Sequence, residues 1–404
     1  MVAVVGRRCQ TLFGVIEYER PWYARGDGSG FSPVDAALGL RANAHLSRGL
    51  RRRLTYLGAV TGPSFKGAAE ACKELLGVEV DPSQLQRETL LNGAAAFAEQ
   101  AERDEAHAQP ETPGEPRAER AHTDLVVAMD GVFALGQHGR RGPKPKLPAP
   151  ANNGALALEA ATPQPATAPH GSVGHEVKVG IVYGLDERAK TAAGRPLLVD
   201  RRVVASAQGI EHFGPRLKAM MCRWGYRQAR RVIVLGDGAA WIWCWAVMFL
   251  GESAVEILDF WHLKDHLVGL GQVLFAGQTP EAAQWSAALA ERVRAGEVDD
   301  VIADLETLAK KRRGAARQAL QDELHYLRTN RLRMRYPDYE KQGLPIGSGA
   351  VESLGKHLVK QRLCGAGMRW EEPGVRAMVA LRELYENHDW DDFWHKDCER
   401  LLAA

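Results

Sequence analysis

The spacing of hydrophobic and polar positions changes several times along the chain, and each change marks an element. Residues 11–23 (TLFGVIEYERPWY) alternate weakly, the period of a strand or hairpin arm. From Pro33 to about Gln100 the pattern is helical. Leu46, Leu50, Leu54 and Leu57 fall on one helical face, with Arg48, Arg51, Arg52 and Arg53 on the others. Ser64 is placed to cap a second helix carrying Ala68, Cys72, Leu75 and Leu76, which Gly77 ends. A third helix starts at Asp81, with Pro82 in its first position and Gln84 set for a capping box.

Residues 101–122 are charged and carry Pro110, Pro113 and Pro116, the composition of a linker behind a helix tail. Asp124–Leu135 then reads as a strand with Asp130 near its end and Gly131 after it. Residues 136–174, rich in Pro, Ala and Gly, cannot bury a core and predict a mobile loop. Its RRGPKPK stretch is either a solvated basic segment or a phosphate contact. His175–Leu185 and Arg201–Ser206 read as two more strands, and Ile210–Ala229 as an amphipathic helix.

Val232–Leu235 is a short β-branched run of the kind a buried strand needs, and it stops at Gly236-Asp237-Gly238. An apolar helix (Ala239–Leu250) and another strand (Val255–Phe260) follow, the latter ending on Asp259 and His262. Three strands followed by alternating helix and strand predict an α/β fold, a mixed sheet flanked by helices. The pattern is helical again from 263, with Thr279-Pro280-Glu281 a helix start and basic clusters at Lys310–Arg313 and Arg328–Arg335. Gly343–Gly349 breaks it. A last helix, Ala350–Cys364, opens with Glu352 in its first turn. The layout is therefore an N-terminal strand region (1–40), a helical unit (41–107), a linker (108–122), a sheet-forming core (123–262), an all-helical segment (263–342) and C-terminal helices (343–404).

Composition narrows the function classes. A net charge of +2 leaves nucleic-acid binding to local basic patches. The six cysteines include no CxxC pair, which argues against a disulfide framework or a Cys-rich zinc site and suits a reducing cytosol. The N-terminus lacks a signal-peptide pattern, and Trp241–Leu250 is too short to span a bilayer.

Three acids carry the candidate chemistry. Asp130 and Asp237 each follow a strand and precede a glycine; Glu352 opens a helix behind a glycine-rich break. An Asp between glycines can also be an ordinary turn residue. If the three converge, they offer the hard oxygen ligands that Mg²⁺ prefers, and two such ions suit phosphoryl transfer. Lys356 and Lys360 follow Glu352 at four-residue steps, a basic row where a DNA backbone would lie. The first three helices suggest a helix-turn-helix unit whose third helix offers Gln84, Gln86 and Arg87 to base edges. Three packed helices can equally be structural.

At these residues the chain resembles a DDE transposase of bacterial insertion sequences, of the Kra-type family, with an RNase H-like catalytic core. The matching motifs are Met129-Asp130-Gly131, Glu176–Tyr183, Gly236–Ala239, Asp259–His262, Gly347–Ser353 and Lys356–Trp370. The resemblance covers most of residues 11–395. It implies that Asp130, Asp237 and Glu352 are the catalytic, metal-binding triad, and that the helical stretch before Glu352 is an insertion in the core. Asp259 and His262 match an Asp-x-x-His motif linked to handling nucleotides near the scissile bond, not to metal binding; a strand-end histidine satisfied by hydrogen bonds is the alternative for His262. Relatives often carry a zinc knuckle near the N-terminus, but residues 20–32 hold no cysteine, so no such site is expected.

The expected activity is Mg²⁺-dependent cleavage and strand transfer at element ends, with Mn²⁺ able to substitute. The partners are double-stranded terminal repeats and target DNA, with a homodimer or larger assembly on DNA. Arg51, Arg52, Lys356, Lys360 and Arg362 join Gln84, Gln86 and Arg87 as DNA-binding candidates. An inactive repressor of element ends and an RNase H-like nuclease without transfer are the alternatives.

Overall fold

The computed structural model describes residues 3–25, 30–40, 45–62, 64–108, 122–136, 174–194 and 196–403. The linker expected at 108–122 and the mobile loop expected at 136–174, with its RRGPKPK stretch, lie almost wholly outside these residues.

The N-terminal alternation forms an antiparallel hairpin, β1 (Ala3–Thr11) and β2 (Gly14–Ala24), with β3 (Gly30–Phe31) on its far edge. Asp35 in the short helix α1 (Pro33–Ala37) anchors it from beneath, accepting from Arg7, Arg20 and the Tyr18 hydroxyl. Next come α2 (Arg48–Tyr56), α3 (Phe65–Leu76) and the long α4 (Pro82–Ala108). The capping residues act as their types require. Ser64 Oγ accepts from Gly67 N at 3.0 Å, Asp81 Oδ1 from Ser83 N at 2.8 Å, and Gly77 turns left-handed at φ 65°. Leu46, Leu50, Leu54 and Leu57 share a small core with Ala68, Cys72 and Leu85.

The central sheet is mixed and five-stranded. Its members are β4 (Asp124–Leu135), β5 (Gly174–Gly184), β8 (Arg202–Ser206), β9 (Arg231–Gly236) and β10 (Val255–Leu258); the small ribbon β6 (Arg188–Lys190) and β7 (Pro196–Leu198) stands apart. The spatial order is β10-β9-β4-β5-β8, with β4 parallel to β9, β9 parallel to β10, and β5 antiparallel to both β4 and β8. Central strands covered on both faces must be apolar throughout, and Leu125–Met129 and Ile233–Leu235 are almost fully buried. The fold is α/β with a mixed sheet, as the order of elements predicts.

Helices α5 (Gly209–Arg223) and α6 (Ala240–Leu250) cover one face. Strand β10 is shorter than expected. Asp259 accepts from the amides of Trp261 (2.6 Å) and His262 (3.2 Å), which is N-cap chemistry, so Phe260 opens helix α7 (Phe260–Leu274) instead of extending the strand. Helices α8 (Pro280–Arg294), α9 (Val298–Lys310), α10 (Gly314–Asn330) and α11 (Tyr336–Lys341) follow, so the stretch to 342 is helical. Their apolar faces join the core of the sheet. Helix α12 (Gly349–Gly355) then crosses the other face, widens into a π turn (Lys356–Lys360) and ends as α13 (Gln361–Leu363). Helices α14 (Glu372–Glu386) and α15 (Trp390–Ala403) close the chain. Among the described residues no helix is long and apolar enough to cross a membrane.

Candidate functional site

Strand register brings the first two acids together. Ala128 in β4 lies opposite Leu235 in the parallel β9, so Asp130 and Asp237, each two residues on, sit at one level. Strand β4 continues to Leu135 where β9 stops, which leaves Asp130 at a notch in the sheet. Burial pushes the Asp130 carboxyl above the usual aspartate range, and the charge of Asp237 adds to the push; the Gly131 amide, His262 and Lys360 oppose it. The glycine after each acid has a reason. A Cβ on Gly131 would stand 2.7 Å from Glu176 Oε1, and one on Gly238 2.6 Å from the ring of Tyr326. Asp237 Oδ1 accepts from Ala239 N at 2.9 Å, closing the turn.

The third acid arrives differently. A Cβ on Gly355 would stand 2.6 Å from Val132, so α12 crosses the sheet in near contact, on the face from which Asp130 and Val132 project. Glu352 lies one turn before Gly355. Its carboxylate is exposed and turns to Lys356 Nζ, 2.6 Å away. Among the described residues no group of three His, Cys, Asp or Glu side chains is placed to hold a metal. The Asp130–Asp237 pair suits a hard divalent cation, because two half-buried carboxylates that repel each other gain from one between them. Glu352 fits the same ion only once it leaves Lys356.

Asp259 is buried, and both its oxygens are occupied. Oδ1 caps α7, while Oδ2 accepts from Ser348 N at 2.7 Å and from the Ser348 hydroxyl. Phe260 N also donates to Ile346 O at 2.9 Å. Asp259 thus ties the end of β10 to the loop that launches α12. Its side chain has a structural role here, whatever part the Asp-x-x-His motif plays toward a nucleotide. His262, whose amide is the second of the two capped by Asp259, reaches the electrostatic surroundings of Asp130.

Two DNA-binding expectations are overturned by burial. Arg51 is fully buried; Nη2 donates to Gly39 O at 2.9 Å and the guanidinium lies 6.0 Å above Trp394. Arg362, 1% exposed, donates to Gly58 O at 2.8 Å and stacks between Phe65 and Trp370. Burial and the neighbouring Arg382 push its pKa down to about 10. For Arg362 the physical reason lies in a neighbouring turn. The π turn Leu57–Thr61 that ends α2 leaves carbonyls without helical partners. Arg362 takes Gly58 O, and Arg382 takes Ala59 O, Val60 O and Leu358 O. These arginines join the first helices to the last.

The remaining candidates are at the surface to different degrees. Arg52 pairs with Asp391, and Gln84 is half-buried. Gln86 and Arg87 are exposed and line a groove of about 630 Å³ with Arg369, Trp370 and Glu371. Lys360 is exposed and acts on Asp130; Lys356 is exposed and engaged by Glu352.

Two features escaped sequence reasoning. Lys178, 6% exposed in β5, pairs with Glu176 at 2.9 Å and sits 4.3 Å over the Trp241 ring. Two opposite charges at period two inside an apolar strand were the signal for it. Tyr326 in α10 donates its hydroxyl to Asp237 O at 2.9 Å, and nothing in a uniformly helical stretch signals that contact. No family model and no curated protein matches this chain.

Proposed function

We propose that the chain is a DDE-type DNA transposase with an RNase H-like core, cleaving and joining DNA at element ends with Mg²⁺. The observation that carries this reading is the Asp130–Asp237 pair. Two carboxylates leave adjacent parallel strands at one level, each with a glycine behind it, and the fold holds them together despite their repulsion. Such a pair is costly for a fold and useful for a divalent cation.

Asp130 and Asp237 would hold the ion, and Glu352 would complete the set by exchanging Lys356 for it. Bound Mg²⁺ supplies the Lewis acidity that activates water, and then a 3′-hydroxyl, at a phosphodiester. Lys360 balances phosphate charge beside Asp130, and Lys356, once released, extends the same row. His262 stands at the pair without a ligand role, and Asp259 fixes the loop that carries α12. Gln86 and Arg87, exposed at the start of α4, meet the terminal repeats.

The test is a gel assay with labelled end duplexes. Wild type should nick the ends and join them to target DNA. Asp237→Ala should lower cleavage by more than about a thousandfold while still shifting end DNA. Asp237→Cys should be inactive in Mg²⁺ and regain some activity in Mn²⁺, which tolerates sulfur better. Cleavage at the wild-type rate by Asp237→Ala would sink the proposal. The Glu352–Lys356 ion pair favours a second reading, a DNA-binding repressor without catalysis; end binding with no cleavage by wild type would select it, and nicking without joining would select a nuclease.

A further inference from the structure

We infer that Tyr326 is a positioning residue, the brace by which the helical segment after β10 holds the Asp237 turn in register with His262 and Asp130. The inference deepens the catalytic reading and depends on it for its kinetic test alone.

The Asp237 turn is tied to β10 at its start, where Asp259 N donates to Gly236 O at 2.8 Å. Glycines flank it, and its own closure is a single bond from Ala239 N to the Asp237 carboxylate. Tyr326 supplies a further restraint from outside. Its hydroxyl donates to the main-chain oxygen of Asp237 at 2.9 Å, so it does not compete for that residue's carboxylate. Its ring occupies the space a side chain at position 238 would need. Gly238 also has φ 101°, so glycine is required there on both counts.

The same ring reaches the second half of the site. It stacks on His266 with centroids 4.0 Å apart and planes 11° from parallel. His266 Nδ1 lies 3.3 Å from Oε2 of the buried Glu323, on the same helix as Tyr326. His266 in turn lies against His262, centroids 5.0 Å apart, and His262 acts on Asp130 together with Asp237. Asp237, Tyr326, His266, His262 and Asp130 therefore close a ring of neighbours. Helices α7 and α10 carry three of the five, so the docking of these two helices sets the spacing of the acid pair.

Tyr326→Phe removes the hydroxyl and keeps the stacked ring, so the variant should fold. Amide exchange at Gly238 and Ala239, followed by NMR without metal, should accelerate about tenfold, the effect of one lost hydrogen bond. Single-turnover cleavage at saturating end DNA should slow by a similar factor, with half-saturation moving less than about twofold. Tyr326→Leu, which also loses the stack, should slow it further. Unchanged exchange in Tyr326→Phe would overturn the brace whether or not the protein cleaves DNA. Faster exchange with an unchanged cleavage rate would overturn its role in positioning. If wild type does not cleave at all, the catalytic reading falls and exchange alone decides the brace.

Discussion

Asp130 and Asp237 are held by strands, whereas Glu352 is held by a seven-residue helix behind a loop. For the pair, the parallel ladder fixes register up to Ala128 and Leu235, two residues before each acid, and Tyr326 braces the turn that carries Asp237. The helix is set by what lies beneath and beside it: Gly355 on Val132, the Asp259–Ser348 clamp, and the arginines under the π turn that follows. The fold therefore fixes the repulsive pair, while the third carboxylate is exposed and takes Lys356 as a partner. If the three acids share an ion as proposed, their ligand set would be half preorganised and half recruited.

The comparison breaks most visibly where the helix side is anchored. Arg382 is buried and donates to carbonyls of two chain segments far apart in sequence, among them Ala59 O at 2.6 Å and Leu358 O at 2.9 Å. Arg382→Ala strands those acceptors and opens a cavity, and should cost about 3–5 kcal/mol in denaturant unfolding. By contrast Lys360→Ala, on the exposed surface, should change stability by less than about 0.5 kcal/mol and act on DNA affinity instead. Equal unfolding midpoints for the two variants would remove the distinction between structural and exposed cations.

That distinction is also where sequence reading reached its limit. The strands around Asp130 and Asp237 were legible, because Leu125–Met129 and Val232–Leu235 are continuous apolar runs, each soon followed by Asp-Gly. The caps at Ser64, Gly77 and Asp81 were legible for the same local reason. Arg51 and Arg362 misled because periodicity assigns a charge to the outside face, and only tertiary packing reveals carbonyls and aromatic rings waiting inside. Asp259 was read as an acid at a strand end, although its position before Phe260, Trp261 and His262 is that of a helix cap. Tyr326 could not be read at all, since its partner lies 89 residues away.

The clamp between the two regions should have an intermediate effect. Asp259→Asn keeps size and one acceptor but loses the charge facing three amides (Trp261, His262 and Ser348) and the Ser348 hydroxyl. With these contacts affected, it should destabilise the protein by about 1–3 kcal/mol. It should also loosen the loop before α12, so exchange at Ser348 should rise more than exchange within β9. Uniform change across both would mean that the clamp does not separate the regions.

The smallest expected effect has the opposite sign and tests the repulsion itself. The folded protein raises the Asp130 carboxyl above its ordinary range, through burial first and the Asp237 charge after it. A raised folded value means that ionised Asp130 costs stability at neutral pH. The cost disappears as pH falls below the ordinary aspartate range, about 4, where both states are protonated. Asp130→Asn should therefore be slightly more stable than wild type at pH 7 without metal, and the gain should vanish toward pH 4. Glu352→Gln, which removes only an exposed ion pair, should shift unfolding by less than about 0.5 kcal/mol at pH 7. Added Mg²⁺ should reverse the order, stabilising wild type in proportion to its occupancy and Asp130→Asn much less. Destabilisation by Asp130→Asn in metal-free buffer at neutral pH would mean that the strand-held carboxylates are not in conflict, and the case for a cation between them would lose its main support.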